Sequence, residues 1–194
     1  MIGCGSIYIL AGQALWSLWL ITWVAAALWA RRTVSAAPGS TFRRQLLIAT
    51  AGFICLFVES RFRWHVLWTV SGIFGWLLVA LVVLGFGFAW WARIHLGPLW
   101  SGGIVRREGH RIVDTGPYAL VRHPIYTGLM TSAFAFAVIK ATPLALLGAC
   151  LITLGFALKA RIEERFLAAE LGEADYAAYR ARVPMLVPFA TAGG

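Results

Sequence analysis

The chain alternates long uncharged stretches with short polar ones. Residues 7–30 run for 24 positions without a charge, 66–92 for 27, 124–139 for 16 and 141–158 for 18. At about 1.5 Å per residue the two longest cover a bilayer's hydrocarbon core with room to tilt. Residues 46–58 are apolar for only 13 positions and span only if Arg43 and Arg44 snorkel to the interface. These runs predict about five transmembrane helices.

The polar stretches predict the punctuation. Arg31 and Arg32 end the first run, and 35–41, with Pro38-Gly39, reads as a loop. Residues 59–65 read as a polar turn carrying Trp64 and His65. Glycines 72, 75, 85 and 87 lie in the third run and suit close helix approach. Residues 93–121 form the long non-apolar segment, broken by Gly97, Pro98, Gly102, Gly103, Gly109, Gly116 and Pro117. Lys140-Ala-Thr-Pro143 predicts a tight helical hairpin. From Lys159 the pattern turns amphipathic, Gly172 interrupts it, and Asp175 can cap a last helix bearing Tyr176 and Tyr179.

Composition sharpens this picture. Sixty per cent of the 194 residues are hydrophobic, 13% are charged, and the mean hydropathy is +0.77, against about 25% charged in a soluble domain. The expectation is one all-α integral membrane domain over 1–194, with three N-terminal spans in 1–92 and a catalytic half in 93–190. The net charge of +9 brackets apolar runs and forms no soluble patch, so nucleic acid is not expected. Five spans put 14 of the 17 Lys and Arg residues on one side, which predicts a cytoplasmic C-terminus and an outward N-terminus. The setting this implies is a bacterial inner membrane. Ten tryptophans fit interfacial belts as well as packing. The start lacks a basic leader, so the first run reads as a retained span. Cys4, Cys55 and Cys150 lie far apart with no CxxC or Cys/His cluster, so neither a disulfide framework nor a metal site is expected.

The candidate chemistry gathers on the predicted cytoplasmic side. Pro124 suits the first position of a helix, and His123 before it is biased to extended geometry. The unpaired N–H groups and dipole of such a helix start attract an anion. Glu163 and Glu164 leave the last span together, where a plain solvated pair of Lys159 with Glu163 is the simplest reading from spacing.

Taken together the motifs are specific. His110-(x)2-Val113-(x)2-Gly116-Pro-Tyr118-(x)3-Arg122-His-Pro-Ile-Tyr126-(x)-Gly128 is followed by a hairpin, then Glu163-Glu164 and Tyr176-(x)2-Tyr179. The segment from about His95 to Pro188 resembles the isoprenylcysteine carboxyl methyltransferases and the related phospholipid methyltransferases. The resemblance implies an integral membrane enzyme that uses S-adenosylmethionine, with a cytoplasmic pocket formed by the 93–126 loop and the C-terminal helices. It implies that His110, Arg111, Ile112, Val113, Tyr118, His123, Pro124, Ile125, Tyr126 and Glu163 bind the cofactor. Lys159 falls where the carboxyl methyltransferases carry a substrate-binding arginine, and Arg122 is a second substrate-positioning candidate. The implied partner is a lipophilic small molecule or a prenylated substrate within the bilayer.

Two other readings stand beside it. Sterol reductases, which use NADPH, share an Arg-His-Pro-x-Tyr pattern but usually place Asn after the proline and Asp after the glycine; here these are Ile125 and Leu129. A membrane scaffold without catalysis would leave the two polar motifs unexplained.

Overall fold

The computed structural model describes residues 4–27, 33–36, 39–58, 66–101, 105–107 and 112–190. Within these the chain is helical: α1 (Cys4–Ala27), α2 (Gly39–Phe57), α3 (Gly72–Leu96), α4 (Pro124–Lys140), α5 (Pro143–Leu171) and α6 (Glu173–Arg182). By length and apolarity three segments can cross a membrane, namely Ile7–Ala26, Gly72–Leu99 and Pro143–Leu171, and α4 is a shorter apolar helix.

Two helix pairs form the frame, α2 against α5 and α3 against α4. Small residues set both approaches, because helices surrounded by lipid gain from close backbone packing. A Cβ added to Gly148 would stand 2.6 Å from the Leu56 nitrogen and 2.7 Å from the Gly52 oxygen, so no side chain fits there. On the other pair Gly85 meets the Gly128 carbonyl, and the buried Ser132 hydroxyl donates to the Val82 oxygen at 3.0 Å. Of the four glycines singled out in the third run, Gly85 and Gly75 make close approaches, Gly75 against the Tyr8 ring. Gly87 faces open space.

The predicted hairpin is present. Ala141 takes a left-handed conformation (φ 53°), and the Thr142 hydroxyl caps α5 by accepting the Ala145 N–H at 3.2 Å. Lys140, on the last turn of α4, donates from Nζ to the Leu56 carbonyl at 2.9 Å, satisfying an end group of α2. α1 rests on α3 and α4. Trp16 is buried there, with its ring edge-on to Trp19, Phe53, Phe57 and Phe86 at centroid distances of 4.8–6.0 Å.

Four details differ from the sequence expectation. The third run is helical only from Gly72. Residues 66–71 are a non-helical strap, bent at 67–68, held to the end of α4 and the α4–α5 turn by Leu67 N–H to Ala141 O (2.8 Å) and Trp68 Nε1–H to Val138 O (2.9 Å). Second, α5 continues unbroken for 29 residues, running on from its apolar part through the amphipathic stretch from Lys159, which holds no glycine or proline before Gly172. Third, α6 starts directly after Gly172 (φ 110°), which places Asp175 inside the first turn. There its charge suits the helix dipole, and it caps nothing. Fourth, the segment read as a loop over 35–41 is overlapped at one end by a strand, β1 (Thr33–Ala36), paired antiparallel with β2 (Val105–Arg107), and at the other by the start of α2. The polar turn at 59–65 lies outside the described residues.

Candidate active site

Pro124 opens α4 at the first helical position, with His123 (φ −125°, ψ 64°) as the residue before it. The C-terminal segment runs alongside this start. Arg122 N–H donates to Pro184 O at 2.9 Å, His123 N–H to Met185 O at 3.1 Å, and the Thr127 hydroxyl to Leu186 O at 2.6 Å. The first backbone bond along α4 is Thr127 N–H to His123 O (3.1 Å). The N–H groups of Ile125 and Tyr126 therefore precede the intrahelical ladder, at the positive end of the helix dipole.

Neighbouring glutamates on α5 point about 100° apart, and their environments differ accordingly. Glu164 is buried. Its carboxylate takes Arg122 in a two-point bond, Nε to Oε1 at 2.6 Å and Nη2 to Oε2 at 3.2 Å, and meets His123 Nε2 at 3.1 Å and Arg180 Nε at 3.7 Å. Arg122 Nη1 also donates to the carbonyls of Arg180 and Val183. This cluster ties the start of α4 to α5, α6 and the C-terminal segment. Glu163 instead faces a cavity, where its Oε2 accepts the Tyr126 hydroxyl at 2.6 Å. The Tyr126 ring lies parallel to those of His123 and Phe156, with centroids 5.3 and 5.0 Å away, and the Lys159 ammonium sits 5.3 Å from its centroid.

The cavity has a volume of about 630 Å3 and two unlike ends. The polar end is walled by Ile112, Val113, Tyr118, His123, Glu163, Tyr176 and Tyr179. The apolar arm runs between α1 and the α2–α5 pair, past Trp16, Trp19, Phe53, Phe57 and Phe156. Lys159 and Tyr126 stand among the lining residues of both. Burial, with the Glu163 charge nearby, raises the Tyr118 hydroxyl far above the usual phenol range, and burial does the same for Tyr176 and Tyr179. All three are neutral hydrogen-bonding groups at physiological pH.

Of the residues singled out in the sequence, Ile112, Val113, Tyr118, His123, Pro124, Ile125, Tyr126, Lys159 and Glu163 line this one cavity. His110 and Arg111 lie outside the described residues. Arg122 also reaches the wall, but its guanidinium is occupied by Glu164 and two carbonyls, which makes it a positioning residue. His95 is structural: its Nε2 lies 2.9 Å from the Thr115 hydroxyl and its ring covers Gly116.

Three features escaped the sequence reading. Glu164 has no role of its own beside Glu163 in that reading. Arg93, fully buried, donates to Gly97 O (2.8 Å) and Ala26 O (2.6 Å) and lies over the Trp100 ring at 4.1 Å, closing the end of α1. The aromatic arm had a visible signal, tryptophans at 16, 19 and 23 along one helical face, which belt placement obscured.

Comparison with known proteins bears on the family and the fold. The model of the isoprenylcysteine carboxyl methyltransferase (ICMT) family matches residues 77–169. The cobalt-zinc-cadmium resistance protein CzcN of Cupriavidus metallidurans is 31% identical over 135 residues, covering 65% of this chain and 54% of that protein. Methanethiol S-methyltransferase 2 of Bradyrhizobium diazoefficiens is 32% identical over 170 residues, covering 82% of this chain and 63% of that protein. The chain thus spans somewhat over half the length of these relatives. The structure of the eukaryotic intramembrane Ras methyltransferase ICMT superposes with a TM-score of 0.53 at 19% identity, over 75% of this chain and 52% of that one, a likeness of fold.

Proposed function

We propose that this chain, a member of the isoprenylcysteine carboxyl methyltransferase family through residues 77–169, transfers a methyl group from S-adenosylmethionine to a lipophilic acceptor held in the bilayer. The observation that carries the reading is the cavity's double character, with the start of α4 and the Glu163 carboxylate on its wall together with the aromatic side chains of Trp16, Trp19, Phe53, Phe57 and Phe156.

The residues present suit the donor. The N–H groups of Ile125 and Tyr126 would receive its carboxylate. Glu163 would take its ammonium or ribose hydroxyls, and Tyr118 with Ile112 and Val113 would wall the adenosine, joined by His110 and Arg111 as the family resemblance implies. When bound, S-adenosylmethionine supplies a methyl carbon on a sulfonium, open to in-line displacement. This chain's own contribution is then alignment and exclusion of water, which can account for much of the rate. The acceptor would slide laterally into the arm between α1 and the α2–α5 pair. In this reading residues 1–194 form one membrane domain that crosses five times, α2 and α4 being the spans that need snorkelling. The polar end and C-terminus face the cytoplasm of a bacterial inner membrane and the N-terminus faces out.

Titration calorimetry of the detergent-purified protein tests this, with S-adenosylmethionine and NADPH as separate ligands. The expected result is binding of the methyl donor, weakened at least tenfold by Glu163→Ala. Binding of NADPH alone would replace the reading by a reductase of the sterol-reductase type. A folded protein that binds neither would be a scaffold.

A further inference from the structure

The methyl donor of the reading above carries a carboxylate, an ammonium and a sulfonium, so it arrives from water. An arm walled by Trp16, Trp19, Phe53, Phe57 and Phe156 is a costly path for such charges. A second hollow, a groove of about 530 Å3, adjoins the polar end of the cavity. Asp175, Ala178 and Arg182 on its wall are exposed, and two of them are charged, so the groove faces water. Ile112, Leu171 and Tyr179 line both hollows. These side chains are the partition between them.

The partition has a fixed part and a part held less firmly. Tyr179 is buried, and its hydroxyl donates to the Tyr118 carbonyl at 2.7 Å. Ile112 and Leu171 are half-buried aliphatic side chains. Ile112 packs on the cluster of Tyr176, Tyr179 and Val183, and Leu171 is the last residue of α5. Two positions after Ile112, the Asp114 carboxylate accepts from Arg182 Nη2 at 3.1 Å. Arg182 Nε donates to the Ala178 carbonyl one turn back, at 3.4 Å. The pair ties the segment of Ile112 to the last turn of α6. Both of its residues line the groove and neither lines the cavity.

We propose that S-adenosylmethionine enters and leaves between Ile112 and Leu171, and that the Asp114–Arg182 pair is the latch on that passage. This rests on the methyltransferase reading above. Shut, the partition keeps water from the polar end, which strengthens every electrostatic contact made there. Because the latch touches nothing in the cavity, its loss lowers the barrier to entry and to exit alike. Both rates rise and the affinity stays. An exposed ion pair shifts an equilibrium by a factor of about 1.4–5, which bounds the gain in rate.

The test mixes the detergent-purified full chain with S-adenosylmethionine in a stopped flow. Tryptophan fluorescence reports association, since Trp16, Trp19, Trp23 and Trp100 line the cavity. Dissociation is read by displacement with excess demethylated product, and calorimetry gives the equilibrium constant. Arg182→Ala and Asp114→Asn should speed association and dissociation equally, by about 1.4–5-fold, with Kd unchanged. The exchange of Asp114→Arg with Arg182→Asp should restore the slower rates. At about 1 M salt, which screens exposed charges within about 3 Å, the unaltered protein should approach the Arg182→Ala rates. Ala178→Phe places a ring in the groove and should slow both rates by at least about fivefold, the least that an overpacked site costs. Melting midpoints, read on each variant, separate altered passage from altered folding. The proposal is overturned when Arg182→Ala or Ala178→Phe leaves both rates unchanged, or when Arg182→Ala changes Kd through one rate alone. Absence of donor binding in the unaltered protein overturns the methyltransferase reading itself, and the route falls with it.

Discussion

Replacing Glu164 by alanine tests whether the buried cluster at the head of α4 holds the site together. The Arg122 side chain is 0% exposed and that of Glu164 is 6% exposed. Removing the carboxylate leaves a buried guanidinium with only carbonyl partners, a change that costs about 3–5 kcal/mol in comparable buried pairs. At this chain length a loss of 1 kcal/mol lowers a melting midpoint by roughly 2–4 °C, so Glu164→Ala should melt roughly 6–20 °C below the unaltered protein. Intrinsic tryptophan fluorescence on heating in detergent reads this. The control is the neighbouring Glu163→Ala, which gives up the hydrogen bond from Tyr126 and should cost no more than about 1.5 kcal/mol. Pairing Arg122→Met with Glu164→Leu should recover most of the loss, since an apolar pair of similar volume replaces buried ions at little cost. If Glu164→Ala melts no lower than Glu163→Ala, the cluster does not anchor the helix start and the argument fails.

Other substitutions probe the frame and the rim. Gly148→Val drives a side chain into the Leu56 and Gly52 backbone of α2 and should cost at least about 1–3 kcal/mol, read as lower yield and an earlier melting midpoint. Arg93→Met removes two charged hydrogen bonds and the Trp100 contact, and should lower stability by about 2–4 kcal/mol in the same thermal assay. Arg182→Ala breaks an exposed pair with Asp114 at 3.1 Å and should change stability by less than about 1 kcal/mol, with donor affinity unchanged by calorimetry.

The residues legible in the sequence were those whose local grammar is strong. Pro124 behind Arg122-His123, and Lys140-Ala-Thr-Pro143, specify a helix start and a hairpin through backbone chemistry alone, and the structure forms both. The uncharged runs likewise located α1 and α4 closely, whereas α2 starts well before its run, α3 starts after its run begins and α5 continues well past the end of its run. What the sequence could not separate was Glu163 from Glu164. Lys159 stands four residues before Glu163, but that spacing says nothing of burial, and only the packing of α6 and the C-terminal segment decides which glutamate is buried. Arg93 was hidden for the same reason, because its acceptor Ala26 lies 67 residues away on another helix. The non-helical strap at 66–71 was concealed by its apolarity. Hydropathy does not distinguish an irregular segment tied to a helical hairpin from another turn of helix.

The division between the two glutamates explains how a helix start can stay ready for a ligand inside so apolar a chain. Exposed backbone N–H groups in such surroundings are costly unless something accepts from them. Here the C-terminal segment accepts from Arg122 and His123, the two N–H groups nearest the buried cluster. Those of Ile125 and Tyr126, the next donors along, belong to residues that line the cavity. Glu164 holds that segment in place through Arg122, whose guanidinium bonds the Arg180 and Val183 carbonyls immediately before Pro184. A charge buried for structure thereby orients the neighbouring charge-binding surface. It also turns the guanidinium fork away from the cavity and onto the glutamate behind it.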